Sequence, residues 1–114
     1  MAPTKPQVVI AMYRPKPGKG EDLEAIVRRH VPTLRAAGLA TKRPVTLLRS
    51  FKDGTLLEIF EWESLEAAQK AHDHPQVSEI CGAMEKAASF VSLSQLTEAG
   101  HPFPHFDPVN GVVV

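Results

Sequence analysis

The dipeptide Asp53-Gly54, set between two strand-like runs, limits what this chain can fold into more than any other feature. Val45 to Phe51 (VTLLRSF) and Leu56 to Trp62 (LLEIFEW) are apolar and aromatic. Asp-Gly between two such runs signals a β-hairpin, because a tight primed turn needs positive φ at both central positions. A two-residue loop there predicts that Phe51 faces Leu56, Arg49 faces Glu58, Leu47 faces Phe60 and Val45 faces Trp62. Opposite charges meeting at Arg49 and Glu58 favour that register. Side chains alternate across a strand, so one face carries Thr46, Leu48, Ser50, Leu57, Ile59 and Glu61. The other carries Val45, Leu47, Arg49, Phe51, Leu56, Glu58, Phe60 and Trp62. Both faces are apolar enough to need cover, and helices supply it to one side only. A partner subunit is expected on the other.

The hairpin is flanked by segments of different period. Gln7 to Tyr13 (QVVIAMY) is a short apolar run, long enough for a strand and too short for a helix. Arg14 to Gly20 is a loop of prolines and glycines. Its Gly18-Lys19-Gly20 lacks the spacing of a phosphate-cradling loop. Leu23, Ile26, Val27, Val31 and Leu34 then recur at helical steps, with acidic residues first, arginines later and Gly38 as a C-terminal cap. Pro32 removes a backbone donor and is expected to kink or break this helix near Arg28. Ser64 is a good N-cap for a second helix, read as two pieces broken around Asp73-His74-Pro75. Phe90 to Leu96 (FVSLSQL) reads as a fourth strand.

The order strand, helix, strand, strand, helix, strand is that of a ferredoxin-like βαββαβ fold. This is an α+β domain with a four-stranded antiparallel sheet and two helices on one face. Residues 1–98 are assigned to it. Residues 99–114, with three prolines and no period, are expected to run extended over this domain or a partner subunit. Phe103 and Phe106 would fasten that tail to the partner or cap a pocket.

Composition narrows the function. Thirteen Lys and Arg balance thirteen Asp and Glu, so the basic excess that nucleic acid requires is missing. No apolar run reaches the roughly 18–20 residues that cross a bilayer. Cys81 alone permits no internal disulfide and fits a reducing compartment. On its helical stripe it reads as a small buried hydrophobe. With no secretory leader visible, a cytoplasmic protein is expected. His72 and His74 lack a third ligand at usable spacing, so no metal site is assigned.

The run Glu58-Ile-Phe-Glu-Trp62, followed by Ser64-Leu-Glu-Ala-Ala68 and Ala71-His72, resembles the antibiotic-biosynthesis-monooxygenase-like domains of the dimeric α+β barrel superfamily. There, too, a strand ending in an aromatic residue, a short acidic or polar link and a histidine-bearing helix follow one another. The likeness covers about residues 7–96. It implies a homodimer joined through sheet faces and a cofactor-independent monooxygenase acting on a small aromatic or quinol-like substrate. In that reading His72 is the base and Arg49, oriented by Glu58, stabilises negative charge. Trp62, Phe60 and Tyr13 shape the pocket, with Tyr13 donating a hydrogen bond at its mouth. The chamber is expected between the two sheets, lined by hairpin side chains.

The spacing from Trp62 to His72 also resembles the haem-degrading branch, which makes haem an alternative ligand. This chain has Tyr13 where that branch places an asparagine. A third reading is a non-catalytic dimeric module that holds an apolar ligand or fills its barrel with side chains. A cavity well under about 300 Å³ would favour it.

Overall fold

The computed structural model describes residues 4–109. Along the chain lie β1 (Gln7–Pro15), α1 (Gly20–Ala36), β2 (Thr46–Arg49), β3 (Leu56–Trp62), α2 (Leu65–Ala71), α3 (Pro75–Ala87) and β4 (Ala88–Phe90). Two 3-10 turns, Leu93–Gln95 and Thr97–Gly100, lead to β5 (Asp107–Pro108). The sheet is antiparallel in the order β4-β1-β3-β2-β5. This is the ferredoxin-like arrangement expected from the element order, widened by a fifth strand from the tail. Asp107 pairs with Arg49, and the Val109 amide donates to the Leu47 carbonyl at 3.0 Å. Phe106 is half-buried, whereas Phe103 is 80% exposed. Residues 110–114 of the tail lie outside the described residues.

The hairpin forms in a different register. Leu47 faces Glu58 and Arg49 faces Leu56, a shift of two residues from the expected pairing. The turn is the cause. Gly54 has φ of +77°, but no residue other than glycine takes positive φ among the described residues, so Asp53 does not enter a primed turn. The loop spans Phe51 to Gly54 instead, closed by the Ser50 amide on the Thr55 carbonyl at 2.8 Å. Asp53 braces it, accepting from the Thr55 amide at 2.9 Å and from Arg14 Nε at 3.1 Å. A shift of two keeps every side chain on its side of the sheet, so the two faces stand as read.

Helix α1 runs through Pro32 without a break. The proline is exposed, and Val27, His30, Val31 and Leu34, all buried, hold the helix to the sheet on either side of it. Its end is a Schellman motif: Gly38 takes φ of +75°, its amide reaches the Arg35 carbonyl, and the Leu39 amide reaches the Leu34 carbonyl. The second helix is divided as expected, with His74 extended and Pro75 opening α3. Ser64 Oγ accepts from the Ala67 amide at 2.9 Å and so caps α2. Ser64→Ala is expected to lower stability by about 1 kcal/mol in urea unfolding. The fourth strand expected at Phe90–Leu96 lies instead at Ala88–Phe90; beyond it Ser92 and Gln95 form a capping box that opens the 3-10 turn Leu93–Gln95.

Both helical layers cover the face that carries Val9, Ala11, Tyr13, Leu47, Leu56, Glu58, Phe60 and Trp62. Leu23, Val27, Ile80 and Met84 pack on Tyr13, Leu47 and Leu56 at one end. Val31, Leu34, Ala67 and Val77 pack on Phe60 at the other, with Trp62 beside them. This corrects the expected placement of the chamber. The hairpin face that was to meet a second sheet lies under the protein's own helices. The open face is the opposite one, where Val8 and Ile10 are exposed.

Candidate functional site

The functional side chains converge where the helical layer lifts off the sheet. There a cleft of about 430 Å³ opens between β1 and β3 below and α2 and α3 above. Tyr13, Phe60, Trp62 and His72, all singled out in the sequence, line it together with His30 and Cys81. Its volume lies within the range of ligand sites and above that of a barrel filled by side chains.

Edge-to-face aromatic contacts order one wall. Phe60 stands 5.0 Å from Trp62 and 5.5 Å from the His30 ring, centroid to centroid, while Tyr13 stands 5.6 Å from Phe90. Both neighbours of Phe60 are set by local rules. Trp62 follows two positions along the same strand, and His30 projects inward from α1 between Val27 and Leu34.

Glu58 organises the polar floor. Its side chain is fully buried, and Oε1 accepts from the Tyr13 hydroxyl at 2.7 Å and contacts His30 Nδ1 at 2.9 Å. A buried carboxylate needs such partners, since desolvation of an unpaired charge is costly. Glu58 Oε2 is also buried and has no hydrogen-bond partner among the described residues. Burial would lower the His30 pKa. Hydrogen bonding with Cys81 and Glu58, together with the Glu58 charge, outweighs it and raises the value from 6.5 to about 9. His30 is therefore an imidazolium at neutral pH. Burial first, then the neighbouring Glu58, push the Tyr13 hydroxyl well above its ordinary 10.0, so it stays a donor.

Arg49 does not face Glu58 and is not among the cleft-lining residues. It pairs with Glu24 on α1, which also receives Arg28 Nε at 3.2 Å. Burial would raise the Glu24 pKa, but hydrogen bonds from Arg49 and Arg28 hold that carboxyl below its usual range. His72 is exposed, at the end of α2. Among the described residues, His74 Nδ1 is buried with no hydrogen-bond partner, and no group of three or more His, Cys, Asp or Glu could hold a metal ion. No helix among the described residues is long and apolar enough to cross a membrane.

His30 escaped the sequence reading, although a signal existed. It occupies the buried stripe of α1, three residues after Val27 and four before Leu34. A titratable group there needs a buried partner, and Glu58 is the inward-facing carboxylate on the strand beneath.

Comparison with known proteins agrees with this fold. No curated protein matches the chain. Among solved structures, SnoaB from Streptomyces nogalater, described as a cofactor-independent oxygenase, superposes with a TM-score of 0.66 at 17% identity, covering 76% of this chain and 87% of that one. Rv0793 from Mycobacterium tuberculosis gives 0.61 at 21% identity over 75% and 85%, and SO0527 from Shewanella oneidensis 0.62 at 18% over 77% and 86%. At these identities the structures show a shared fold. The family model named antibiotic biosynthesis monooxygenase matches residues 6–83, most of the chain, and the chain belongs to that family.

Proposed function

We propose that this protein is a cofactor-independent monooxygenase that takes a small aromatic or quinol-like molecule into the cleft between its sheet and its own helices. The observation that carries the reading is an aromatic-walled cleft with one buried imidazole, His30, and one buried hydroxyl, Tyr13, both tied to Glu58. The likeness to SnoaB supports the choice of reaction.

The chemistry follows from what each group can do. Trp62, half-buried and backed by the buried Phe60, offers a flat apolar surface to a planar ring and keeps water from it. His72, exposed in the cleft, removes the substrate proton. The negative charge left behind is stabilised by His30, held in place before reaction by Glu58, whose carboxylate is itself fixed by the Tyr13 hydroxyl. Arg49, engaged by Glu24, gives up the charge-stabilising role to His30. The deprotonated substrate delivers its electrons to dioxygen; one oxygen atom enters the substrate and the other leaves as water.

Oxygen uptake against a panel of quinols tests this. Turnover above the uncatalysed aerobic rate is expected, falling about a hundredfold or more in His72→Ala, in the range of general-base losses. Equal null results with and without air would overturn it. So would a Soret shift on adding haemin that is lost in His72→Ala, since this would mark a haem-binding protein.

The homodimer belongs to the same proposal. It forms through the open sheet face, where Val8 and Ile10 are exposed beside half-buried Leu48 and Ile59. Such an apolar strip on an antiparallel sheet calls for cover. Sedimentation equilibrium is expected to give a dimer, and Ile10→Lys a monomer. A wild-type monomer at micromolar concentration would contradict it.

A further inference from the structure

The cleft is bordered by more than side chains. Ile10 and Met12 line it, although alternation along β1 puts their side chains on the open face, so it is their backbone that borders the cleft. Strand β1 pairs with β3 along Gln7–Tyr13 but with β4 only at Tyr13–Pro15. One more bond follows, the Val91 amide on the Met12 carbonyl at 3.2 Å, and pairing stops there.

That last bond fixes which way the edge points. In an antiparallel strand the N–H and C=O of one residue point to the same side, and the side alternates along the chain. Met12 turns its carbonyl towards β4, so Ile10 and Val8 turn their N–H and C=O the same way, beyond the end of β4. Among the described residues no group bonds to them there. Phe90 and Val91, where β4 stops, also line the cleft, so the unpaired edge runs along it.

Partial charge chooses the occupant. A row of outward N–H and C=O groups is complemented by another extended backbone, the strand-addition mode of peptide recognition. A peptide residue set opposite Val9, antiparallel to β1, receives the Ile10 N–H on the carbonyl before it. The N–H after it goes to the Val8 carbonyl. Directly opposed residues point to the same face, so its side chain follows that of Val9. Val9 stands opposite Phe60, on the face that carries Trp62. An aromatic side chain suits that wall.

We propose that the cleft and the β1 edge together bind an extended peptide segment with an aromatic residue, its ring against Trp62 and its backbone paired to Val8 and Ile10. This rests on the cleft being the ligand site, as proposed above, and adds the chain that carries the ring.

N-acetyl-L-tyrosine N-methylamide is the probe, followed by amide and indole NMR on the full chain. Its acetyl carbonyl and methylamide N–H are the two groups the edge calls for. N-acetyl-L-tyrosine methyl ester lacks the second, and the D-enantiomer of the amide turns its ring to the open face when paired. The L-amide is expected to shift the Ile10 N–H and the Trp62 indole N–H saturably. The ester should bind about fivefold more weakly, the share of one hydrogen bond, and the D-amide at least as weakly as the ester. Ile10→Pro removes the donor at a position whose N–H makes no ladder bond, and should weaken the L-amide by about the same factor. Should that variant fail to fold, the three ligands on the wild type decide. Equal affinity for all three, or shifts at Trp62 with Ile10 silent, would overturn the peptide and leave the cleft standing. Protection of the Ile10 amide from hydrogen exchange in the free protein, lost on dilution to monomer, would place a second copy on the edge and overturn it too. Silence of Trp62 towards these ligands and towards 1-naphthol would overturn the cleft itself.

Discussion

Glu58→Ala is expected to destabilise the protein by about 3–5 kcal/mol in urea unfolding, the range for removing one member of a buried ionic pair. Glu58 has no contact with solvent, and its Oε1 serves both Tyr13 and His30. Its removal leaves a buried imidazolium without a counter-charge and a buried hydroxyl without an acceptor. His30 then loses the Glu58 share of what offsets its burial, and its pKa falls from about 9. By contrast, Glu61→Ala removes a half-buried carboxylate on the other face and is expected to cost less than 1 kcal/mol. A loss below 1 kcal/mol in Glu58→Ala would mean that the Tyr13–Glu58–His30 network does not hold the two layers together.

The same network makes stability depend on pH. The folded state raises the His30 pKa from 6.5 to about 9, so it holds that proton more tightly than the unfolded chain. The resulting stabilisation is fully present below pH 6.5. It declines as pH rises and is gone beyond about 9, a loss of about 3 kcal/mol. Tyr13 acts in the same direction at higher pH, since its raised pKa favours the folded state less once the unfolded tyrosine ionises above 10.0. Urea unfolding between pH 6 and pH 9 measures the first limb, and His30→Gln is expected to flatten it. A wild-type profile level across that range would contradict the assignment of an imidazolium.

Much of this architecture is readable from local chemistry. Ser64, Gly38 and Pro75 mark helix boundaries where their side chains and backbone preferences demand them, and the structure obeys each. The hairpin is equally legible, but its register is not. Asp-Gly permits a two-residue primed turn without compelling it, and Asp53 gains more from Thr55 and Arg14 than from a left-handed backbone. Because the shift is an even number of residues, Tyr13, Phe60, Trp62 and Glu58 still share a face, and that face still builds the site.

Harder to read was which face the helices take. Both carry enough apolar residues to be covered, and periodicity within strands does not say on which side a crossover lies. The charged pair was misjudged for a related reason. Arg49 and Glu58 look like partners along the hairpin, yet each finds its partner on α1: Glu24 for the arginine and His30 for the glutamate. Pairings between a strand and a helix, 25 and 28 residues apart here, leave no mark in short-range spacing. Pro32 misled in the opposite sense, because tertiary packing on the buried side of α1 outweighs a local penalty on its exposed side.

On the proposed function, ligands enter between sheet and helices within one protomer, against Trp62. The most direct measurement is a side-chain NMR titration with 1-naphthol, a stable planar phenol, following the Trp62 indole N–H and the Met84 methyl against the methyls of Leu48 and Ile59. Saturable shifts are expected at Trp62 and Met84, with Leu48 and Ile59 unmoved. Shifts at Leu48 and Ile59 with Trp62 silent would place the ligand on the open sheet face and contradict it.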